Sequence, residues 1–157
     1  MPDTGGFSRV LVVDDEEAMR HMLALLLSRE GYDVRKADSG EAAIETLKSD
    51  DGADVVLTDV RMPGMGGLRL VDWLSEHHPQ ITTIVMSAFG SVELALEAMQ
   101  RGAYDYVSKP FKQDEVVLVL RKAEERMRLR RENAALKARL SEIGDKSDRL
   151  GEMLIVV

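Results

Sequence analysis

Five short apolar runs, each followed by a stretch of helical periodicity, restrict the folds open to this chain. The runs are Arg9 to Val13, Tyr32 to Ala37, Val55 to Thr58, Ile81 to Met86 and Tyr104 to Val107. Runs of that length and character suit strands buried on both faces. Between them, Ala18 to Arg29 places Met22, Leu25, Leu26 and Arg29 three or four residues apart. Ser39-Gly40-Glu41 reads as a helix cap ahead of Ala42, Ala43, Ile44 and Leu47. Leu68 to His77 turns Leu70, Val71 and Leu74 inward, with Pro79 just beyond, and Val92 to Arg101 is stopped by Gly102. From Gln113 the pattern stays helical to about Ile143, where Gly144 is expected to break it. Strands alternating with helices argue for βαβ units and a parallel sheet. The expectation is a small three-layer α/β domain whose last helix runs on.

The chain's 157 residues suit one domain with an appendage, and 45% hydrophobic residues suffice for a core. With no cysteine there is no disulfide, thiolate metal site or cysteine nucleophile. No apolar run approaches bilayer length, and the first six residues lack the regions of a signal peptide, so a cytoplasmic protein without membrane contact is expected. The net charge of −7 conceals an asymmetry. Residues 1–120 carry 11 basic and 21 acidic side chains, whereas residues 121–149 carry 10 basic and 6 acidic ones. An acidic body continues into a basic helical tail.

Parallel strands bring their carboxyl ends to one edge, where open α/β sheets place ligands. Strand one offers Asp14 and Asp15 there, strand three Asp59, strand four Ser87 and strand five Lys109. Taken singly, Asp59 reads as a turn former, Asp14 and Asp15 as helix-start acids, Ser87 as a polar loop residue and Lys109 as a surface charge. The joint occurrence is far more specific. Three carboxylates in one cleft repel one another unless a cation sits among them. A hard divalent ion prefers such oxygens, and Mg²⁺ in particular uses few carboxylates and keeps its waters. Acids, a hydroxyl and an ammonium together suit a phosphoryl group, with one carboxylate as nucleophile.

On these residues the chain closely resembles the receiver domain of two-component response regulators. The resemblance covers roughly residues 7–125. It rests on Val-Leu-Val-Val-Asp14-Asp15-Glu16, on Leu57-Thr58-Asp59-Val60-Arg61-Met62-Pro63-Gly64-Met65-Gly66-Gly67, on Met86-Ser87-Ala88, and on Tyr104-Asp105-Tyr106-Val107-Ser108-Lys109-Pro110-Phe111. It implies the flavodoxin-like receiver fold, a five-stranded parallel sheet of order 2-1-3-4-5 with helices on both faces. It implies that Asp59 accepts a phosphoryl group from a phosphohistidine on a sensor histidine kinase. Asp14, Asp15, Asp59 and the Arg61 carbonyl would hold Mg²⁺ or Mn²⁺. Lys109 would bind a phosphoryl oxygen, Ser87 would move towards the phosphate, Tyr106 would turn inward with it, and the Lys109–Pro110 bond would be cis. Serine at position 87, where the family more often has threonine, keeps the hydroxyl.

In the tail, Val116, Leu120, Ala123 and Met127 form one face suited to packing on the sheet. Leu129, Asn133, Leu136, Leu140 and Ile143 form a second, heptad-spaced seam. A short parallel coiled coil and a homodimer are expected, with Asn133 fixing register. The expected organisation is a receiver over 7–125, a coiled-coil linker helix over 126–143, and over 144–157 the start of a linker or a disordered tail. Basic residues from Arg126 to Arg131 ahead of leucines also fit a DNA-binding helix feeding a zipper. Glu124, Glu125 and Glu132 interrupt that basic face, so direct DNA binding is not expected.

Within the family, Ser91-Val92-Glu93-Leu94-Ala95-Leu96-Glu97-Ala98-Met99 and Gly102-Ala103-Tyr104-Asp105-Tyr106 look most like the nitrogen-regulatory (NtrC) type. That resemblance implies control of transcription with sigma-54 polymerase through an ATPase and a DNA-binding domain, neither of which this chain carries. Two other readings compete. A stand-alone relay or phosphate-sink receiver would share the site. A haloacid-dehalogenase-type phosphatase would need an Asp-x-Asp pattern on the first strand, where this chain has Asp14-Asp15-Glu16. A phosphoacceptor switch, not a turnover enzyme, is the favoured reading.

Overall fold

The computed structural model describes residues 9–49, 52–88 and 92–156, with side chains as far as Gly144. Ten elements alternate along it. They are β1 (Arg9–Val13), α1 (Glu17–Arg29), β2 (Asp33–Ala37), α2 (Gly40–Ser49), β3 (Val55–Asp59), α3 (Gly67–His77), β4 (Thr82–Ser87), α4 (Val92–Arg101), β5 (Asp105–Ser108) and α5 (Gln113–Val156). The five strands form one parallel sheet in the order β2-β1-β3-β4-β5, as the resemblance implied. The order reverses between β1 and β3, which is the topological switch point of an open α/β sheet.

The core explains the strand sequences. In β1, Leu11 and Val13 pack with Val56 of β3 against Ala43 and Leu47 of α2 and Leu70 and Leu74 of α3. The alternate residues Val10, Val12 and Leu57 are just as buried. Period-two alternation is therefore invisible in these strands, because both faces of the sheet are covered. A second cluster joins Val60, Val71, Val85, Ala98 and Ala103. On α5, Val116, Leu120 and Ala123 are fully buried. There Arg121 lies over the Tyr32 ring at 5.1 Å and donates to the Tyr32 hydroxyl at 2.9 Å. The edge strand β2 exposes Asp33, Arg35 and Lys36, charges that discourage pairing with another sheet.

Local caps and contacts between helices meet at the helix ends. The Ser39 hydroxyl accepts the Ala42 N–H at 3.0 Å, so the expected cap of α2 is present. At the far end of α4, Arg101 pairs with Asp72 of α3 at 2.9 Å, and Ser75 donates to the Arg101 carbonyl at 2.9 Å. The expected end of the last helix is corrected: α5 passes through Gly144 and continues to Val156. One glycine inside a helix costs only about 1 kcal/mol relative to alanine. Glu142, Lys146, Arg149 and Leu150 around it are good helix formers.

The chain divides into two compact units, one of residues Phe7–Ala123 and one that includes Glu124–Val157. Among the described residues no helix is long and apolar enough to cross a membrane.

Candidate functional site

The carboxyl edge of the sheet gathers the polar residues that the apolar runs deliver there. Asp14 follows the last residue of β1 and is completely buried. Its Oδ1 accepts the Glu16 N–H at 2.9 Å, and its Oδ2 accepts from Lys109 Nζ at 3.0 Å. Its own carbonyl takes a hydrogen bond from Arg20 at 2.8 Å. Asp59 is the last residue of β3. Its Oδ2 lies 3.3 Å from Lys109 Nζ, and its Oδ1 accepts the Arg61 N–H at 3.4 Å. Asp15 is exposed, and its carboxylate shares the cleft: one oxygen from each of Asp14, Asp15 and Asp59 falls within 4.8 Å of the others. Lys109 enters from the end of β5, where its N–H donates to the Ser87 carbonyl at 2.7 Å. The peptide that follows, Lys109–Pro110, is cis.

Ser87 ends β4 and is buried. Among the described residues its hydroxyl has no hydrogen-bond partner. A buried hydroxyl without a partner is costly, and it marks a place where a ligand oxygen fits. Tyr106 is half-buried on β5 beside Val85 and packs on the second cluster. It makes no hydrogen bond to Ser87. The fold thus brings Asp14, Asp15, Asp59 and Lys109 together, sets Ser87 on the neighbouring strand end, and leaves Tyr106 against the α4 side of the core.

Burial raises the Asp59 carboxyl above the ordinary 3.8, and the nearby Asp14 adds to this, while Lys109 offsets part of it. For Lys109, burial works against the charge. The hydrogen bond to Asp14 and the charges of Asp59 and Asp14 outweigh it, so the ammonium is held above its ordinary 10.5. The two shifts have opposite meanings for stability. Lys109 stabilises the fold below 10.5 and loses that contribution as pH rises through its raised value. Asp59, being raised, favours the fold when protonated and costs stability once pH exceeds its folded value. Asp59→Asn should therefore raise the metal-free melting temperature at neutral pH by roughly a few degrees. The gain should shrink as pH falls towards 3.8. Melting curves across that range check this, and a gain that grows on acidification would contradict it.

The donor set has a clear preference. It offers three carboxylates with neither thiolate nor imidazole, and one ammonium leaves two negative charges uncompensated. A hard, oxygen-seeking divalent cation fits such a cleft, whereas a zinc site would want nitrogen or sulfur.

Fold and site together define a small doubly wound α/β protein whose switch-point edge holds acids, a lysine and a buried hydroxyl. The chain belongs to the response regulator receiver domain family, whose model matches residues 10–121. It is 35% identical over 150 residues to the putative response regulator NtrX-like of Rickettsia bellii, covering 94% of this chain and 30% of that protein. It is 39% identical over 114 residues to the DNA-binding transcriptional regulator NtrC of Escherichia coli, covering 73% of this chain and 24% of that one. The crystal structure of NtrX from Brucella abortus superposes with a TM-score of 0.79 at 36% identity, covering 83% of this chain and 29% of that one. The chain therefore spans about a third or less of the length of these relatives.

Glu41 is the residue near the site that sequence reasoning placed only as part of a helix cap. Its carboxylate accepts the Met65 N–H at 3.1 Å, across 24 positions. No spacing rule announces a contact of that separation.

Proposed function

We propose that the domain is a phosphoryl-accepting switch with Asp59 as the acceptor. The observation that carries this is the convergence of Asp14, Asp15 and Asp59 on one cleft with Lys109 bridging two of them. An Asp59 carboxylate oxygen forms a bond to phosphorus, and the bond from phosphorus to the donor histidine nitrogen breaks, the nitrogen keeping its electron pair. Asp14, Asp15, Asp59 and the Arg61 carbonyl would hold Mg²⁺, whose charge would offset that of the transferred oxygens. Lys109 neutralises a phosphoryl oxygen, and the unpartnered Ser87 hydroxyl donates to another. Tyr106 then follows Ser87 inward, changing the face made by α4, β5 and the start of α5. A histidine kinase of the cytoplasm is the proposed donor.

The output reading draws on the NtrC and NtrX relatives, which extend well beyond the length matched here. We propose that this chain regulates transcription with sigma-54 polymerase through further domains of that kind. In the unit containing Glu124–Val157, Leu129, Leu136, Leu140 and Ile143 are each more than half exposed. They form the seam proposed to pair two copies as a parallel coiled coil, with Asn133 on the same seam. Arg128 pairs with Glu125 and Glu132 of its own helix, which favours a solvated flank over a surface for DNA.

The test is beryllofluoride, a mimic of the phosphoryl group, added with Mg²⁺. The melting temperature should rise by roughly 5 °C or more only when both are present. No rise would refute the acceptor reading. Light scattering on the same samples reads the seam: a dimer before the mimic is added supports it, a dimer only afterwards assigns pairing to activation with the seam as an assistant, and a monomer in both rejects it.

A further inference from the structure

The loop that follows Asp59 carries Arg61, whose carbonyl is a proposed metal ligand, yet its anchoring lies elsewhere. At its base, the Gly67 N–H donates to the Val60 carbonyl at 2.8 Å. Its tip, Gly64-Met65, is seated on the first turn of α2. Three observations define that seat. The Glu41 carboxylate accepts the Met65 N–H at 3.1 Å. Gly64 has φ +74°, and a Cβ there would stand 2.8 Å from a Glu41 oxygen, so the backbone passes close against the carboxylate. Gly40 is buried, and a Cβ there would lie 2.9 Å from both the Met65 Cγ and the Met65 carbonyl oxygen. The absence of a side chain at position 40 is what admits Met65. Glycines on both sides of the contact and a charge-assisted hydrogen bond between them make a clasp. The helix dipole also favours Glu41 in the first turn of α2.

We propose that Glu41, with the Gly40 notch, is a positioning residue for the phosphorylation site. It fixes the tip of the loop and thereby the Arg61 carbonyl and the Arg61 N–H that Asp59 accepts. The proposal rests on the reading of Asp59 as the phosphoacceptor. Residues that orient a ligand from behind it change metal affinity by about 10–100-fold in well-studied sites. Here the clasp is exposed and one step more remote, so Glu41→Ala should raise the Mg²⁺ dissociation constant by about three- to tenfold. The Met65 amide should exchange with solvent at least about tenfold faster in the metal-free protein, since its acceptor is gone. Glu41→Gln keeps an acceptor oxygen and should recover most of both properties.

The experiment titrates Mg²⁺ into wild type, Glu41→Ala, Glu41→Gln and Gly40→Ala by calorimetry. Amide exchange at Met65 is measured on the same proteins by nuclear magnetic resonance. Weaker Mg²⁺ binding and faster exchange in Glu41→Ala, both recovered in Glu41→Gln, establish the clasp. Gly40→Ala should shift both readouts the same way by displacing Met65. Should that variant fail to fold, the Glu41 pair still decides. Faster exchange with Mg²⁺ affinity unchanged within twofold overturns the positioning role, as does an unchanged Met65 amide. A wild-type chain that binds no Mg²⁺ overturns the acceptor reading instead, and the proposal with it.

Discussion

Asp59→Asn takes up no phosphoryl group from acetyl phosphate and Mg²⁺ under conditions that label the wild-type chain nearly one-to-one. The substitution keeps the size of the side chain and removes the nucleophilic oxygen charge. The loss should be at least about a hundredfold in labelling rate, because the attacking oxygen is gone. The neighbouring acids are poor substitutes for different reasons. Asp14 is fully buried, with Oδ1 committed to the Glu16 N–H and Oδ2 to Lys109. Asp15 is exposed and, among the described residues, lacks the ion pair to Lys109 that Asp14 and Asp59 have. Because the raised Asp59 carboxyl is relieved by the change, the variant should also be folded and at least as heat-stable as wild type. Unfolding then offers no explanation for lost labelling. Intact mass with alkaline release of the phosphoryl group is the measurement. One-to-one labelling of Asp59→Asn would assign the chemistry to another carboxylate.

The placement of Asp59 at the edge of the sheet was legible in the sequence because buried parallel strands are poor at hiding themselves. Val55, Val56 and Leu57 are enclosed on both faces, and the first polar residues after such a run mark the sheet edge. The reading of Asp14, Asp59, Ser87 and Lys109 as strand-end residues follows from chain order alone. Placing them within hydrogen-bond reach of one another needs the register of four strands, which periodicity does not supply. Element ends moved by a residue: β3 takes in Asp59 and β4 takes in Ser87, each paired in the parallel ladder with a neighbour on the next strand. Gly144 misled because a stop signal is statistical, whereas a helix ends only when something competes for its backbone. Among the described residues nothing lies within 4 Å of where a Cβ would stand, so none of them interrupts the helix at that point. The Glu41 contact was illegible for the opposite reason. Glutamate in a first turn already has a sufficient local explanation in the dipole, and its second role appears only when the loop after Asp59 folds back.

Gly67→Ala should be the most damaging single methyl added near the site. Gly67 opens α3 against the end of β3. A Cβ there would stand 2.1 Å from the Asp59 carbonyl oxygen, 2.7 Å from the Val60 Cα and 3.0 Å from the Asp59 carbonyl carbon. All three are backbone atoms, so no side chain swings aside to relieve the clash. Gly67 is not among the glycines with positive φ, so the obstacle is space, not conformation. To admit the methyl, α3 must withdraw from the strand end. That breaks the 2.8 Å hydrogen bond from Gly67 to Val60 and drags the burial of Leu70, Val71 and Leu74 with it. Overpacking of this kind costs roughly 3 kcal/mol, a fall in melting temperature on the order of 10 °C. Gly66→Ala is the matched control. Its nearest contact is the Val60 carbonyl oxygen at 3.4 Å, and its φ of −78° suits alanine, so its melting temperature should stay within about 3 °C of wild type. The same withdrawal displaces the main chain at Asp59. Mg²⁺-dependent labelling of Gly67→Ala should therefore fall even at temperatures where the variant is still folded. If Gly67→Ala melts with the control and labels like wild type, the close approach of α3 to the acceptor strand does not set the site.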